Sequence, residues 1–183
     1  LLLILFQDTA REMKVAVASA AWSSGAPLNT ARFNGDSGQT PVTAAIYFGG
    51  GAPPKNDTEE YDGSGWSSGG DMNTGRTQLH GFGTQTTAVG SAGYVDGSGD
   101  VANVEEYNGS SWTEVTNTPA SRRGGASFGT LTAGVIVGGH PNLNTTLEYD
   151  GTNWTSGGNI GTGMDRTEGA GAGTLTAGLV VAG

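Results

Sequence analysis

Four tryptophans, Trp22, Trp66, Trp112 and Trp154, fall at steps of 44, 46 and 42 residues along a chain of 183. Three of them close the same phrase: Glu60-Tyr61-Asp62-Gly63-Ser64-Gly65-Trp66, Glu106-Tyr107-Asn108-Gly109-Ser110-Ser111-Trp112 and Glu148-Tyr149-Asp150-Gly151-Thr152-Asn153-Trp154. A period of this size means one supersecondary unit copied in tandem, each copy stacking on its neighbours to bury a core. An independent landmark keeps the same step. Apolar runs end in small pairs at Gly49-Gly50, Ala92-Gly93, Gly138-Gly139 and Ala182-Gly183. An arginine ladder, Arg32, Arg76, Arg122 and Arg166, follows the tryptophans.

Each copy reads as four short antiparallel strands. The first follows the arginine, as in Gly124-Gly125-Ala126-Ser127-Phe128-Gly129. The second is the apolar run, rich in β-branched and aromatic residues and closed where the small pair lets φ turn positive. A loop of variable length leads to a third strand ending in Glu-Tyr. Asp-Gly or Asn-Gly then gives the tight hairpin signal, and the fourth strand carries Trp. No stretch has sustained helical periodicity with caps. The units run 1–31, 32–75, 76–121, 122–165 and 166–183, one domain without a linker. Leu1–Phe6 is read as the second strand of the first unit and Val15–Ala20 as its third. It is too short to span a bilayer and lacks a signal peptide's basic start. Counted from there to the end, the strands come to thirteen.

The glycine pair closing the second strand, the Tyr-Asp-Gly step and the Trp about fifteen residues after the pair resemble the kelch repeat. The resemblance covers residues 20–183, and the copy from Pro119-Ala120-Ser121-Arg122 to Trp154 carries it most fully. It implies an all-β fold, a β-propeller of four-stranded antiparallel blades. Thirteen strands fall short of the roughly sixteen that the smallest closed ring needs. The expectation is therefore an incomplete ring of about three to four blades, a window on a longer polypeptide or a ring completed by another chain. The texture of the repeats, with Asn-Thr-x-Arg and Gly-Thr-x-Thr-Ala, is similar to repeats in structural proteins of tailed phages.

Composition narrows the function. Net charge is −9 with eight basic residues spread one or two to a copy, which argues against a nucleic-acid surface. With no cysteine there is neither a disulfide framework nor a cysteine-based zinc site. His80 and His140 lie in different copies and match no catalytic spacing. Asp96-Gly97-Ser98-Gly99-Asp100 resembles half a calcium loop but has Val101 and Tyr107 where the loop needs Gly and Glu. No catalytic, metal or cofactor residue is assigned. The arginine ladder and the glutamates of the Glu-Tyr step, Glu60, Glu106 and Glu148, are expected to form one structural ion pair per copy. The tryptophans and tyrosines are expected to pack between copies.

The second-to-third-strand loops, Gly51–Asp57, Tyr94–Asn103 and His140–Thr145, vary while the frame is held. A rigid scaffold with variable loops is a way to build binding surfaces. Candidate binding residues there are Tyr94, Asp96, Asp100, His140 and Asn142. The reading is a non-enzymatic structural or binding protein of a virus particle: a phage tail fibre, appendage or decoration protein. Its partners would be a host-surface glycan, other virion proteins or further copies of itself, with no nucleic acid and no membrane insertion. The alternatives are a cellular kelch adaptor, extracellular or cytoplasmic, and a carbohydrate-active enzyme built on converging carboxylates.

Overall fold

The computed structural model describes residues 25–165 and 169–181. The expected strands at Leu1–Phe6 and Val15–Ala20, together with Trp22, Arg166 and the final Ala182-Gly183, lie outside the described residues. Those described form strands and turns, with no helix among them. Each sheet follows the four-strand reading. The first has β1 (Asp36–Ser37), β2 (Ala45–Phe48), β3 (Thr58–Tyr61) and β4 (Trp66–Ser68), in that order and antiparallel. The second has β5 (His80–Thr84), β6 (Thr87–Ser91), β9 (Val104–Tyr107) and β10 (Trp112–Glu114). Its loop between β6 and β9 folds into a small hairpin of its own, β7 (Tyr94–Val95) and β8 (Gly99–Asp100).

The third sheet has β11 (Ala126–Thr130), β12 (Ala133–Val137), β13 (Thr146–Tyr149) and β14 (Trp154–Ser156). The fourth has two strands, β15 (Ala170–Thr174) and β16 (Ala177–Val181). Three four-stranded sheets and the two-stranded fourth make fourteen strands among the described residues, sixteen with the β7–β8 hairpin. The count of thirteen for the whole chain is thereby corrected: it credited two complete copies where the structure has three.

The core lies between the sheets rather than within any one. Ile46 and Phe48 of the first sheet meet Ala88, Tyr107 and Trp112 of the second. Phe82 and Val89 of the second meet Ile136, Leu147 and Tyr149 of the third. Phe128, Val135 and Val137 of the third meet Val180 of the fourth. Alternation makes this possible, because successive residues of a strand face opposite sides and each sheet serves both neighbours. Small residues admit the rings. A Cβ on Gly134 would run into the Phe82 ring, and one on Gly178 into the Phe128 ring. The apolar burial of one aromatic ring stabilises by roughly 2–3 kcal/mol, so these joints carry much of the stability.

The recurring aromatics mark the same joints. Trp112 packs edge-on to Phe48 at 4.8 Å and donates from Nε1 to Thr58 Oγ1 at 2.9 Å, both in the preceding sheet. Trp154 meets Phe82 at 6.2 Å. Trp66 stacks on its own Tyr61 at 5.2 Å and is partly exposed. Tyr107 donates to Glu60 Oε1 at 2.5 Å and Tyr149 to Glu106 Oε1 at 2.6 Å, each reaching the sheet before its own. Desolvation and then the carboxylate acceptor push the Tyr107 phenol up to about 12 and raise Tyr149 further.

The ion-pair expectation is corrected by one residue. The arginines bond the glutamate before the Glu-Tyr step: Arg32 to Glu59 at 2.6 Å and Arg76 to Glu105 at 2.9 Å. Neighbouring residues point to opposite faces, so Glu59 and Glu105 turn to the arginine while Glu60 and Glu106 turn to the next sheet's tyrosine. The Asn-Thr-x-Arg motif wraps the first carboxylate. Asn73 N donates to Glu105 Oε2 at 2.6 Å, Asn73 Nδ2 to the same oxygen at 2.8 Å, and Thr74 N to Oε1 at 3.3 Å. Asn29 N and Thr30 N do the same to Glu59. In the third sheet Leu147 stands at the glutamate position and Pro119, which has no N–H, at the Asn position. Arg122 is buried there and donates to Gly138 O at 3.3 Å.

Candidate functional site

The first strand of each sheet starts where the second ends, as the pairs Asp36–Phe48, His80–Ser91 and Ala126–Val137 show. The loops after the second strands and the arginine-bearing loops before the first strands therefore share one end of the stack. They are stitched together there. Gly50 N donates to Arg76 O and Gly93 N to Arg122 O, both at 2.8 Å, each crossing to the next sheet. The small pairs allow it through positive φ: Gly49 and Gly50 at 67° and 89°, Ala92 and Gly93 at 56° and 107°.

On this base the candidate residues fall into two groups. Tyr94 opens β7 and Asp100 ends β8, directly opposite each other in the hairpin. Arg123 joins them: its guanidinium lies 5.0 Å from the Tyr94 ring centroid and forms an ion pair with Asp100. His140 comes to the same place, since its N–H donates to Arg123 O at 2.8 Å. The His140 ring bonds Asp165 through Nδ1 at 2.8 Å. Three of the five candidates thus gather around one arginine, across the loops of the second and third sheets. Asp96 and Asn142 are exposed in the turns of those same loops. Asn142 holds a φ of 57°, a left-handed conformation that asparagine tolerates.

Arg123 and Asp165 were not among the residues singled out from the sequence. The available signal was the doubled arginine, Arg122-Arg123, at a ladder position that elsewhere has one. The ladder member turns inward, which leaves the second residue facing the loops. The surface this makes is mixed: an aromatic face, a guanidinium, two carboxylates and an imidazole, partly exposed. It can stack and hydrogen-bond a polar ligand. Among the described residues no three of His, Cys, Asp and Glu converge on one point as a metal cage.

A second feature lies where the first strands meet. β1 adjoins β5, β5 adjoins β11, and β11 adjoins β15. Gln39, just past β1, reaches β15, where its carboxamide donates to Gly173 O at 3.0 Å and accepts from Gly173 N at 3.2 Å. These strands enclose a cavity of about 360 Å³ lined by Asp36, Ser37, Gln39, Gly81, Ser127 and Gly171 among others. Asp36 Oδ2 accepts from Gly81 N at 2.7 Å and Ser127 Oγ at 3.1 Å, so one carboxylate bonds three sheets. Desolvation outweighs those bonds and pushes its carboxyl up to about 6. His80, on β5, is buried with both ring nitrogens unpartnered, and burial followed by the nearby Arg122 charge drives its imidazole down to about 4.

No protein-family model matches this chain, and no curated protein sequence matches it. The arrangement therefore has to be read from its own geometry.

Proposed function

We propose that the stacked sheets are blades of a kelch-like propeller. The protein is a non-enzymatic binding module of a virus particle, a phage tail fibre, appendage or decoration protein. Its loop end meets a host-surface glycan or a neighbouring virion protein. The single observation that carries this reading is the contrast between frame and loops. The frame repeats its bonds from sheet to sheet: arginine to the first glutamate in the first two sheets, next-sheet tyrosine to the second glutamate, small pair to the next arginine loop. The loops on that frame do not repeat, and one of them builds the β7–β8 hairpin. Structural energy is spent on the frame, which leaves the loop residues around Arg123 open to diversification.

The test has two arms. Negative-stain imaging of purified particles with a labelled antibody is expected to place the protein on the particle surface. A glycan array is expected to show binding that is lost in Arg123→Ala and kept in Asp62→Asn at the opposite end of the first sheet. Absence from particles together with no glycan binding refutes the proposal. Firm particle attachment without glycan binding assigns the loop end to a virion protein.

A further inference from the structure

We propose that Arg122 holds a small monovalent inorganic anion, of the size and charge of chloride, at the place where the first two sheets put a glutamate carboxylate. The starting point is a charge left unbalanced. Arg32 and Arg76 each meet a buried carboxylate, Glu59 at 2.6 Å and Glu105 at 2.9 Å. Arg122 is also buried, at 3% exposed, yet it forms no ion pair among the described residues. Its guanidinium makes one hydrogen bond there, to a carbonyl, Gly138 O at 3.3 Å. A guanidinium does not shed its proton to escape the interior. A buried one therefore calls for an anion beside it.

The internal repeat says where that anion sits. Arg76 Nη1 donates to Ala92 O at 3.0 Å, and Arg122 Nη1 to Gly138 O. Ala92 and Gly138 hold the same place, the first of the small pair after the second strand. The two loops are also hung alike: Met72 N donates to Asn56 O and Thr118 N to Ala102 O, Arg76 N to Lys55 O and Arg122 N to Val101 O. The guanidiniums are thus anchored in the same way. Arg76 Nη2 meets Glu105 Oε1, and Arg122 Nη2 is turned to the matching place in the third sheet. Leu147 stands there, paired with Ile136 as Glu105 is with Gly90, and it brings no oxygen. The facing loop changes in step. Asn73, whose side chain bonds Glu105, gives way to Pro119; Thr74, whose N–H reaches Glu105 Oε1 at 3.3 Å, gives way to Ala120. The Ala120 N–H bonds no backbone group among the described residues. Arg122 Nη2 and Ala120 N are the donors left for the anion.

Neighbouring groups do not neutralise Arg122 instead. Asp100 pairs with Arg123, and Asp165 bonds His140. His80 is buried with both ring nitrogens unpartnered, and burial followed by the Arg122 charge keeps it neutral. It brings no negative charge. Burial lowers both arginines from their ordinary value; the Glu105 and Glu114 carboxylates oppose this at Arg76, and no carboxylate does at Arg122. One guanidinium balances one negative charge, which favours a halide over a divalent oxyanion such as sulfate.

Chloride-35 NMR and urea unfolding of the full chain test this, with chloride exchanged for gluconate at constant ionic strength. Gluconate is too large for the space of one carboxylate group. The chloride line is expected to broaden with added protein. At a chloride concentration ten times its dissociation constant, the folding equilibrium constant should be about elevenfold higher than in gluconate. Arg122→Gln should lose both effects. Leu147→Glu restores the carboxylate of the other sheets; it should also lose both and be more stable than the parent in gluconate. Comparing variant with parent cancels general salt effects. Absence of either effect in the parent overturns the proposal, whether or not the variants fold. Broadening that survives in Arg122→Gln would put the ion elsewhere and overturns it too. Should Leu147→Glu fail to fold, the parent and Arg122→Gln decide.

Discussion

Replacing Glu105 by Gln tests what holds each sheet to its arginine loop. The Glu105 and Arg76 side chains are both fully buried and 2.9 Å apart. Glutamine keeps the volume and removes the charge. Arg76 would retain the carbonyls of Ala92, Asn103 and Gly90 but lose its counter-ion in the interior. The new amide would also set an NH2 against a cradle built from N–H donors, Asn73 N and Nδ2 and Thr74 N. Removing one partner of a buried pair costs about 3–5 kcal/mol, a large share of the roughly 5–15 kcal/mol that holds a domain together. Urea unfolding followed by tryptophan fluorescence reads it well, since Trp112 pairs across from Tyr107 in the same hairpin. With a slope of about 2 kcal/mol/M, a loss of ~4 kcal/mol moves the midpoint by about 2 M. Asp96→Asn, on an exposed turn, should stay within about 0.5 kcal/mol of the parent. A loss below about 1 kcal/mol for Glu105→Gln would refute the reasoning and make the cradle incidental.

Other expectations follow from the same contacts. Gly134→Val places a side chain in the Phe82 ring. It should cost more than the roughly 1–3 kcal/mol of ordinary overpacking because the neighbour is a buried ring in a packed joint; Gly158→Ala, with open space around it, should cost under about 1 kcal/mol. Asp36 and His80 should give opposing pH dependences. Asp36 titrates near 6 folded against 3.8 unfolded, so the folded state holds the extra proton and stability falls as pH rises from about 3.8 to 6. His80 titrates near 4 folded against 6.5 unfolded, so the unfolded state holds the extra proton and stability is lost as pH falls from 6.5 to about 4. Each is worth at most about 3 kcal/mol, and Asp36 less, because its cavity opens to solvent. Asp36→Asn should therefore leave a profile rising between pH 4 and 6.5, and His80→Leu one falling over that range; identical profiles for both would contradict the assignment.

The period, the strand order and the hairpin turns were legible because they rest on local chemistry. Asp62, Asn108 and Asp150 each accept the N–H groups two and three residues on, holding the turn that sends the chain into the tryptophan strand. The choice of glutamate was not legible from period alone, since Glu59 and Glu60 recur with the same step. It is decided by which face of β3 meets the arginine, a property of the sheet. A clue stood inside the chain: Leu147 replaces the first glutamate in the copy that replaces Asn-Thr-x-Arg by Pro-Ala-Ser-Arg. Tyr94, Asp100 and His140 were found as loop residues. Their meeting at Arg123 depends on the stacking of two sheets and on backbone bonds between loops of different copies. The Asp36 cavity needs four first strands side by side, and β1 has two residues, too few to announce itself by pattern.

The central claim is that of two adjacent glutamates one serves its own sheet and the other the next. A double-mutant cycle of Tyr149→Phe with Glu106→Gln, read by urea unfolding, tests it most directly. A phenol donating to a carboxylate in a partly buried joint should show a coupling of about 1.5–3 kcal/mol. Additive effects, with a coupling within about 0.3 kcal/mol of zero, would mean that the sheets are not tied there.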